Sequence, residues 1–459
     1  MSELQTAFLA TAEEKLTDYS HRENNHRTTR SYNLLKSKAK LQFSNLEGAR
    51  QRAAAIRWKT FETLDKYLIE FEANFTKSGG RLIWAQDGIE ALNEILFILT
   101  KNKVNSVVKS KSMTAEEISL DSFLAQNNIE CVESDLGEFI LQLSNEAPSH
   151  MVTPAAHKTL SEIKELYKQK FNFNGNSGAR ELSDFTRNYL RNKFKAAGAA
   201  ITGANFIIAD TGSVAITENE GNVMMGISFP KIQIVIAGID KMLPSLSDLD
   251  LFFPLLATHG TGQEITAYNS VITGPRKNGE KDGPEEIYLI LIDNGRSDLL
   301  SKPEQRTAIN CIRCGACLTA CPVYNVVGGH AYKSIYNGPI GSVILPHLKK
   351  NEEFRHLSNA STICGKCTEV CPVKIDLHKL LLFNRRDFQK ENNSKAEKII
   401  FYFWKKAMTK RDVMNKGGSK TKNFILQNFF KRTWGTRREM PRIAQKSFNE
   451  LWREISKIR

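Results

Sequence analysis

The chain has 459 residues, 41% hydrophobic and 25% charged, a composition of folded domains that excludes disorder over the whole length. Lysine and arginine total 64 against 50 acidic residues, and the resulting charge of +14 would suggest an anionic partner. That charge is local: Leu381 to Arg459 carries 21 basic and seven acidic side chains, while residues 1–380 hold 43 of each sign.

No stretch approaches the roughly 18 to 20 apolar residues of a membrane-spanning helix. The N-terminus has charges on both sides of Ala7 to Ala10 and no signal-peptide core, so a cytoplasmic protein is expected. Eight cysteines, seven of them in two clusters, are too few for a secreted disulfide scaffold and point to metal or redox chemistry.

In chain order, residues 1–75 read as helix, with Ala54, Trp58, Phe61, Leu64, Leu68 and Phe71 spaced three or four apart on one face. After Gly79 and Gly80 the period changes. Arg81 to Ala85 reads as a strand and Gly88 to Leu99 as a helix. Val104 to Lys109 is a second strand, Thr114 to Asn127 a helix opened by a capping box of Thr114 and Glu117, and Ile129 to Val132 a third strand. This alternation defines an α/β domain with a mainly parallel sheet. Cys131 falls in the third strand, where a small buried hydrophobe is expected.

Phe139 to Phe173 reads as helix and loop, and Arg180 to Ala197 as helix. A strand-rich half follows: Ala204 to Asp210, Ser213 to Thr217, Lys231 to Ile239, Glu264 to Ile272 and Glu286 to Asp293, with Lys277 to Pro284 as a polar hairpin tip.

The most specific signal is Cys311-Ile-Arg-Cys314-Gly-Ala-Cys317-Leu-Thr-Ala-Cys321-Pro322, the C-x2-C-x2-C-x3-C-P run of bacterial ferredoxins. Three thiolates three residues apart can wrap one iron–sulfur cubane, and the fourth, set on a helix, points toward a second. Zinc sites favour pairs of Cys or His instead. Fifty residues later the run recurs as Ser361-Thr-Ile-Cys364-Gly-Lys-Cys367-Thr-Glu-Val-Cys371-Pro372, with Ser361 where a first cysteine would stand. The last cysteine of each run serves the other cluster in two-cluster ferredoxins. Cluster 1 therefore takes Cys311, Cys314, Cys317 and Cys371, and cluster 2 takes Cys321, Cys364 and Cys367. Cluster 1 is expected to be [4Fe-4S]. Cluster 2 is open between [3Fe-4S], [4Fe-4S] with Ser361 or water on one iron, and a ligand from a partner. The long gap between Cys321 and Cys364, with helical patterns at Ser342 to Lys349 and Glu352 to Asn359, suggests a helical two-cluster domain.

Beyond the cysteines, LDKYLIEFEANFTKSGGRLIWAQD (Leu64 to Asp87), KSKSMTAEEI (Lys109 to Ile118), ESDLGE (Glu133 to Glu138) and ITGANFIIADTGSVAITENEGN (Ile201 to Asn222) resemble the lactate utilization protein B family, iron–sulfur members of a three-protein bacterial lactate oxidation system. The resemblance implies an α/β domain similar to the ribose-phosphate isomerase and CoA-transferase fold, then a helical ferredoxin domain and a basic helical C-terminal region. These regions are expected at residues 76–300, 301–380 and 381–459, after an N-terminal helical segment of residues 1–75. It also implies an electron-transfer subunit of a complex that oxidises L-lactate to pyruvate, with two partners, one cysteine-rich and one built from the α/β domain alone.

The alternative is an enzyme whose own α/β domain binds a hydroxy acid or phosphorylated ligand, the clusters being accessory. Candidate residues for such a site are Thr211, Gly212 and Ser213, where a turn could present N–H groups and hydroxyls to an anion, with Glu218, Glu220 and His259. Structural hairpin chemistry and a structural histidine are the simpler readings. No G-x-G-x-x-G fingerprint or P-loop occurs. The tail alternates basic and aromatic residues (Lys398 to Lys406, Phe429 to Trp434, Phe448 to Trp452) without a nucleic-acid module. Docking on acidic partner surfaces is expected of it, with peripheral membrane contact as the alternative.

Overall fold

Polar caps divide the N-terminal helical stretch into α1 (Glu3–Thr17), α2 (Tyr19–Ala39), α3 (Leu46–Glu62) and α4 (Leu64–Lys77). Ser2 Oγ accepts the Gln5 N–H, Asp18 the His21 N–H and Asn45 the Gly48 N–H, satisfying donors that a helix start leaves free. The expected apolar face is corrected at two points. A break at Thr63 restarts the helical phase, and Trp58 is exposed while Ala53, Arg57 and Phe61 face inward. The computed structural model describes residues 2–174, 178–349, 352–391, 395–434 and 439–456, so parts of the basic tail lie outside the described residues. The chain divides into two compact units, Met1–Asp387 and Phe388–Arg459.

The first unit is built on β1 (Arg81–Ala85), α5 (Gly88–Lys101), β2 (Ser106–Lys109), α6 (Met113–Glu117), α7 (Leu120–Gln126), β3 (Glu130–Glu133), α8 (Leu136–Ser144), α9 (Leu160–Phe171), α10 (Ala179–Ala196) and β4 (Ala199–Gly203). After these come β5 (Phe206–Ile208), β6 (Ser213–Glu218), α11 (Asn222–Ser228), β7 (Ile232–Gly238), β8 (Met242–Leu243), α12 (Leu249–Gly260), β9 (Tyr268–Ile272) and β10 (Glu286–Ile292). Six strands form one parallel sheet in the order β1-β10-β7-β4-β2-β3. Its central strand β7 is buried along its whole length, as a parallel sheet covered on both faces requires. A smaller mixed sheet, β8-β5-β6-β9, lies in the same unit.

Three local expectations change. Strand β4 was not anticipated, because its alanines carry little β propensity and its burial comes from neighbours far away in sequence. Ser112, not Thr114, caps α6, its hydroxyl accepting the Ala115 N–H, and left-handed Ser119 (φ 57°) separates α6 from α7. Lys277 to Pro284 joins β9 of one sheet to β10 of the other, so it is a crossover and not a hairpin. Helix α12 runs through Pro254.

After β10 come α13 (Arg296–Leu300), α14 (Ala316–Ala320), α15 (Pro322–Val327), α16 (Gly338–Leu348), α17 (Lys366–Glu369) and α18 (Leu377–Glu391). Helices α1 and α2 pack on this region: Phe8 meets Tyr332 edge-on at 5.6 Å, and Thr29 Oγ1 donates to Asn325 Oδ1. In the second unit, helices Lys395–Thr409 and Phe448–Ser456 leave Phe401, Phe403, Trp404, Phe448 and Trp452 exposed. Among the described residues no helix is long and apolar enough to cross a membrane.

Buried charges connect the sheet to the cysteine region. Asp240, just past β7, accepts from Arg296 Nε at 2.6 Å and Arg313 Nη2 at 3.1 Å. Arg296 also donates twice to Glu117, at 3.0 and 2.7 Å. Burial pushes the Asp240 carboxyl up, but the two arginines outweigh it and hold the carboxyl well below its ordinary range. Removing one member of such a group strands the others as buried charges. Asp240→Asn is therefore expected to lower the unfolding free energy by about 3–5 kcal/mol, read from the urea midpoint of the cluster-loaded protein.

Candidate functional site

The two cysteine runs adopt the same backbone path. Arg313 and Gly315 in the first, and Ile363 and Gly365 in the second, are left-handed, with φ of 59°, 75°, 55° and 82°. At Gly315 a Cβ would also stand 3.0 Å from Val152 Cγ2, so glycine is required there twice over. Each loop then enters a short helix, α14 carrying Cys317 and α17 carrying Cys367. Pro322 opens α15 directly after Cys321, where its missing N–H costs nothing.

Cys311, Cys314, Cys317 and Cys371 line one cavity with Ile340 and Ile375. Backbone donors point at the sulfurs: Arg313 N–H to Cys311 Sγ at 3.4 Å and Ile375 N–H to Cys371 Sγ at 3.3 Å. Burial pushes the Cys314 and Cys371 thiols up to about 12, so thiolates there call for a cationic core. The thiols ring a space instead of converging on a point, and among the described residues no three His, Cys, Asp or Glu side chains gather as ligands of a single ion. Sulfur ligands around a cavity with N–H donors aimed at them suit an iron–sulfur cluster.

Cys321, Cys364 and Cys367 form a second group. Burial and then the Cys321 charge push the Cys367 thiol up to about 11, and burial, with a smaller push from Cys364, raises Cys321. Cys364 is exposed, and the Lys366 N–H holds its thiol below the ordinary value. Ser361 stands where the loop comparison predicts: its Oγ accepts the Ile363 N–H at 3.1 Å, as Cys311 Sγ accepts that of Arg313. Arg385 of α18 fixes this loop by donating to Ser358 O and Ser361 O.

Three basic residues that motif reasoning missed hold the site. Lys36 of α2 is buried and donates to Thr319 Oγ1 at 2.8 Å. Burial lowers its ammonium to about 8, against the pull of Cys314 and Cys317. Arg50 donates to the Cys371 and Glu369 carbonyls. Arg57 donates to Asp240 O, Met242 O, Ile309 O and Asn310 O, all within 3.1 Å. Arg57 had a legible signal, since it lies four residues from both Ala53 and Phe61 on the buried face. Lys36 had none.

The remaining candidates separate. Gly212 sits against the backbone of Asn74 and Phe75, where a Cβ would come within 2.2 Å of Phe75 N. The Thr211–Ser213 turn thus packs on α4, with Thr211 Oγ1 and Ser213 Oγ buried and without hydrogen-bond partners. His259 is buried in α12, donating from Nδ1 to Leu255 O, and burial lowers its imidazole to about 4. Glu218 and Glu220 lie elsewhere, on the wall of a larger cavity. Cys131 is partly buried in β3, its Sγ 3.4 Å from Asp121 Oδ1.

A parallel-sheet α/β domain joined to two cysteine loops defines an iron–sulfur protein of two-cluster type. The family models agree: a LUD domain matches residues 68–292 and a 4Fe-4S dicluster domain residues 307–375. Lactate utilization protein B of Bacillus cytotoxicus is 41% identical over 433 residues, 92% of this chain and 91% of its own, and that of Bacillus cereus is 39% identical over the same shares. The chain belongs to the lactate utilization protein B family.

Lys36 places its ammonium beside the sulfurs of Cys314 and Cys317. If these two hold a cluster, Lys36→Met is expected to lower its reduction potential by on the order of 100 mV, measured by EPR-monitored redox titration.

Proposed function

We propose that this protein serves lactate utilization as the electron-transfer subunit of a complex that oxidises L-lactate to pyruvate. The observation that carries the reading is the interleaving of the two runs, with Cys371 of the second lining the cavity of Cys311, Cys314 and Cys317. Cluster 1 is [4Fe-4S] on those four thiolates. Cluster 2 is held by Cys321, Cys364 and Cys367. When bound, the clusters supply one-electron transfer.

The protein's own residues set the conditions for that transfer. Backbone N–H groups and Lys36 stabilise negative charge at cluster 1, and apolar neighbours such as Ile340 exclude water. Exposed Cys364 puts cluster 2 at the surface, suited to exchange with a partner. The Ser361 hydroxyl, hydrogen-bonded like the thiolate of Cys311, supports a [4Fe-4S] cluster 2 with an oxygen ligand, with [3Fe-4S] as the other outcome.

Iron and sulfide assay with EPR of the oxidised protein tests this. Eight irons and no three-iron signal are expected, and Ser361→Ala should convert cluster 2 to the three-iron form. A strong three-iron signal in the unaltered protein would exclude the oxygen-ligated form. Cys371→Ala should convert cluster 1 to the three-iron form and leave the signal of cluster 2.

The partners in this reading are a cysteine-rich subunit and a single-domain subunit, and the basic aromatic tail is a docking surface for them. Isolated protein with L-lactate and an artificial acceptor should show no turnover, and the reconstituted three-protein complex should show it. Turnover by the isolated protein would overturn the relay reading. The full chain should sediment with anionic vesicles no more than a chain lacking residues 381–459.

A further inference from the structure

Chain direction in the six-stranded sheet reverses between two neighbours. From β2 the chain moves outward to β3, and from β4 it returns the other way to β7. Open α/β sheets take ligands outside the carboxyl ends of the strands at such a reversal. A cavity of about 590 Å³ lies there, lined by Ser112 after β2 and Asn205 after β4, and its size is that of organic-ligand sites. Its far wall is the cluster 1 loop, with Arg313 and Cys314.

The cavity has carboxylates, but they are occupied. Asp135 accepts the Glu138 N–H, Glu218 accepts those of Val223 and Met224, and Glu220 accepts that of Leu136. Two of its three cations, Lys111 and Arg313, keep an open donor. Lys111 Nζ and Arg313 Nη1 are buried without hydrogen-bond partners, although Lys111 stands 3.9 Å from Glu138 Oε1 and Arg313 holds Asp240 through Nη2. Buried donors left open on the wall of a cavity await an acceptor, and a carboxylate matches guanidinium and ammonium together. Ser112 Oγ and the Asn205 amide add polar groups for a second oxygen.

We propose that this cavity binds a small organic carboxylate of the 2-hydroxy or 2-oxo acid class, its carboxylate held by Lys111 and Arg313. The acid then lies against the loop that carries Cys314. The class rests on the lactate reading above. The site places substrate recognition in this subunit, at the sheet's point of reversal, and not at the Thr211–Ser213 turn.

The test is titration calorimetry of the anaerobically purified protein, with both clusters verified by iron content. The probes are pyruvate, L-lactate, propionate and inorganic phosphate. Pyruvate and L-lactate should bind one per protein, and propionate, which lacks the oxygen on C2, at least about tenfold more weakly. Lys111→Gln should weaken pyruvate binding by about tenfold or more, and Lys111→Arg should largely restore it. Asn205→Asp keeps the acceptor for the Thr217 N–H but adds negative charge to the wall, and should weaken binding whether or not the Lys111 variants fold. Pyruvate should also shift the EPR signal of reduced cluster 1 and leave cluster 2 unchanged. No binding of either acid to cluster-loaded protein, unaltered binding in Lys111→Gln and Asn205→Asp, or binding of phosphate alone would overturn the proposal. Lactate oxidation by the reconstituted complex is assayed in parallel. Oxidation without acid binding to this chain defeats the site and leaves the relay reading, whereas acid binding without oxidation does the reverse.

Discussion

Asp240 joins the two halves of the first unit. Its carboxylate, fully buried beyond β7, receives Arg296 from just after β10 and Arg313 from the middle of the first cysteine loop. Glu117 of α6 completes the balance for Arg296. A buried charge is tolerated only with its partners in place, so the cysteine loop has one position relative to the sheet. Arg57 works alongside, joining four carbonyls from both regions with a single side chain. Any access from the α/β domain to the cysteines depends on this arrangement.

The N-terminal helices follow from the same requirement. Helices α1 and α2 lie against the cysteine region, and α3 supplies Arg50 and Arg57 to it. They bring cations to a place rich in sulfur ligands, where burial alone would disfavour thiolates. Lys36, Arg50 and Arg313 act at different distances: one charge beside the sulfurs, one clamp on the backbone of Cys371, and one guanidinium shared with Asp240. The two loops differ in surroundings more than in path. Cys314 and Cys317 are enclosed, while Cys364 reaches solvent beside a serine that takes the hydrogen-bonding position of the missing cysteine.

Much of the fold was legible because its signals are local. Strands β1, β2, β3, β7 and β10 show as apolar runs at the expected places, and α5 and α10 as periodic segments. β4 did not show, since Ala199 and Ala200 become strand residues only through pairing with β2 and β7. Helix α12 was hidden by Pro254 and by apolar residues on every side, which removes the periodic signal. Glu117 fitted a capping box, yet its side chain turns inward to Arg296, 179 residues on.

Ligand spacing, glycine position and the serine at 361 act within a dozen residues of backbone, so the order of residues alone carries the chemistry of the cysteine loops. The same order confines the positive charge to the tail. Only packing fixes which cations reach the sulfurs and where the sheet opens toward Cys314. Those contacts join residues such as Lys36 and Thr319, or Arg57 and Asn310, whose separation carries no periodic or motif signal. Their cause is the cost of burying charge and open hydrogen-bond donors, which depends on the whole packed chain.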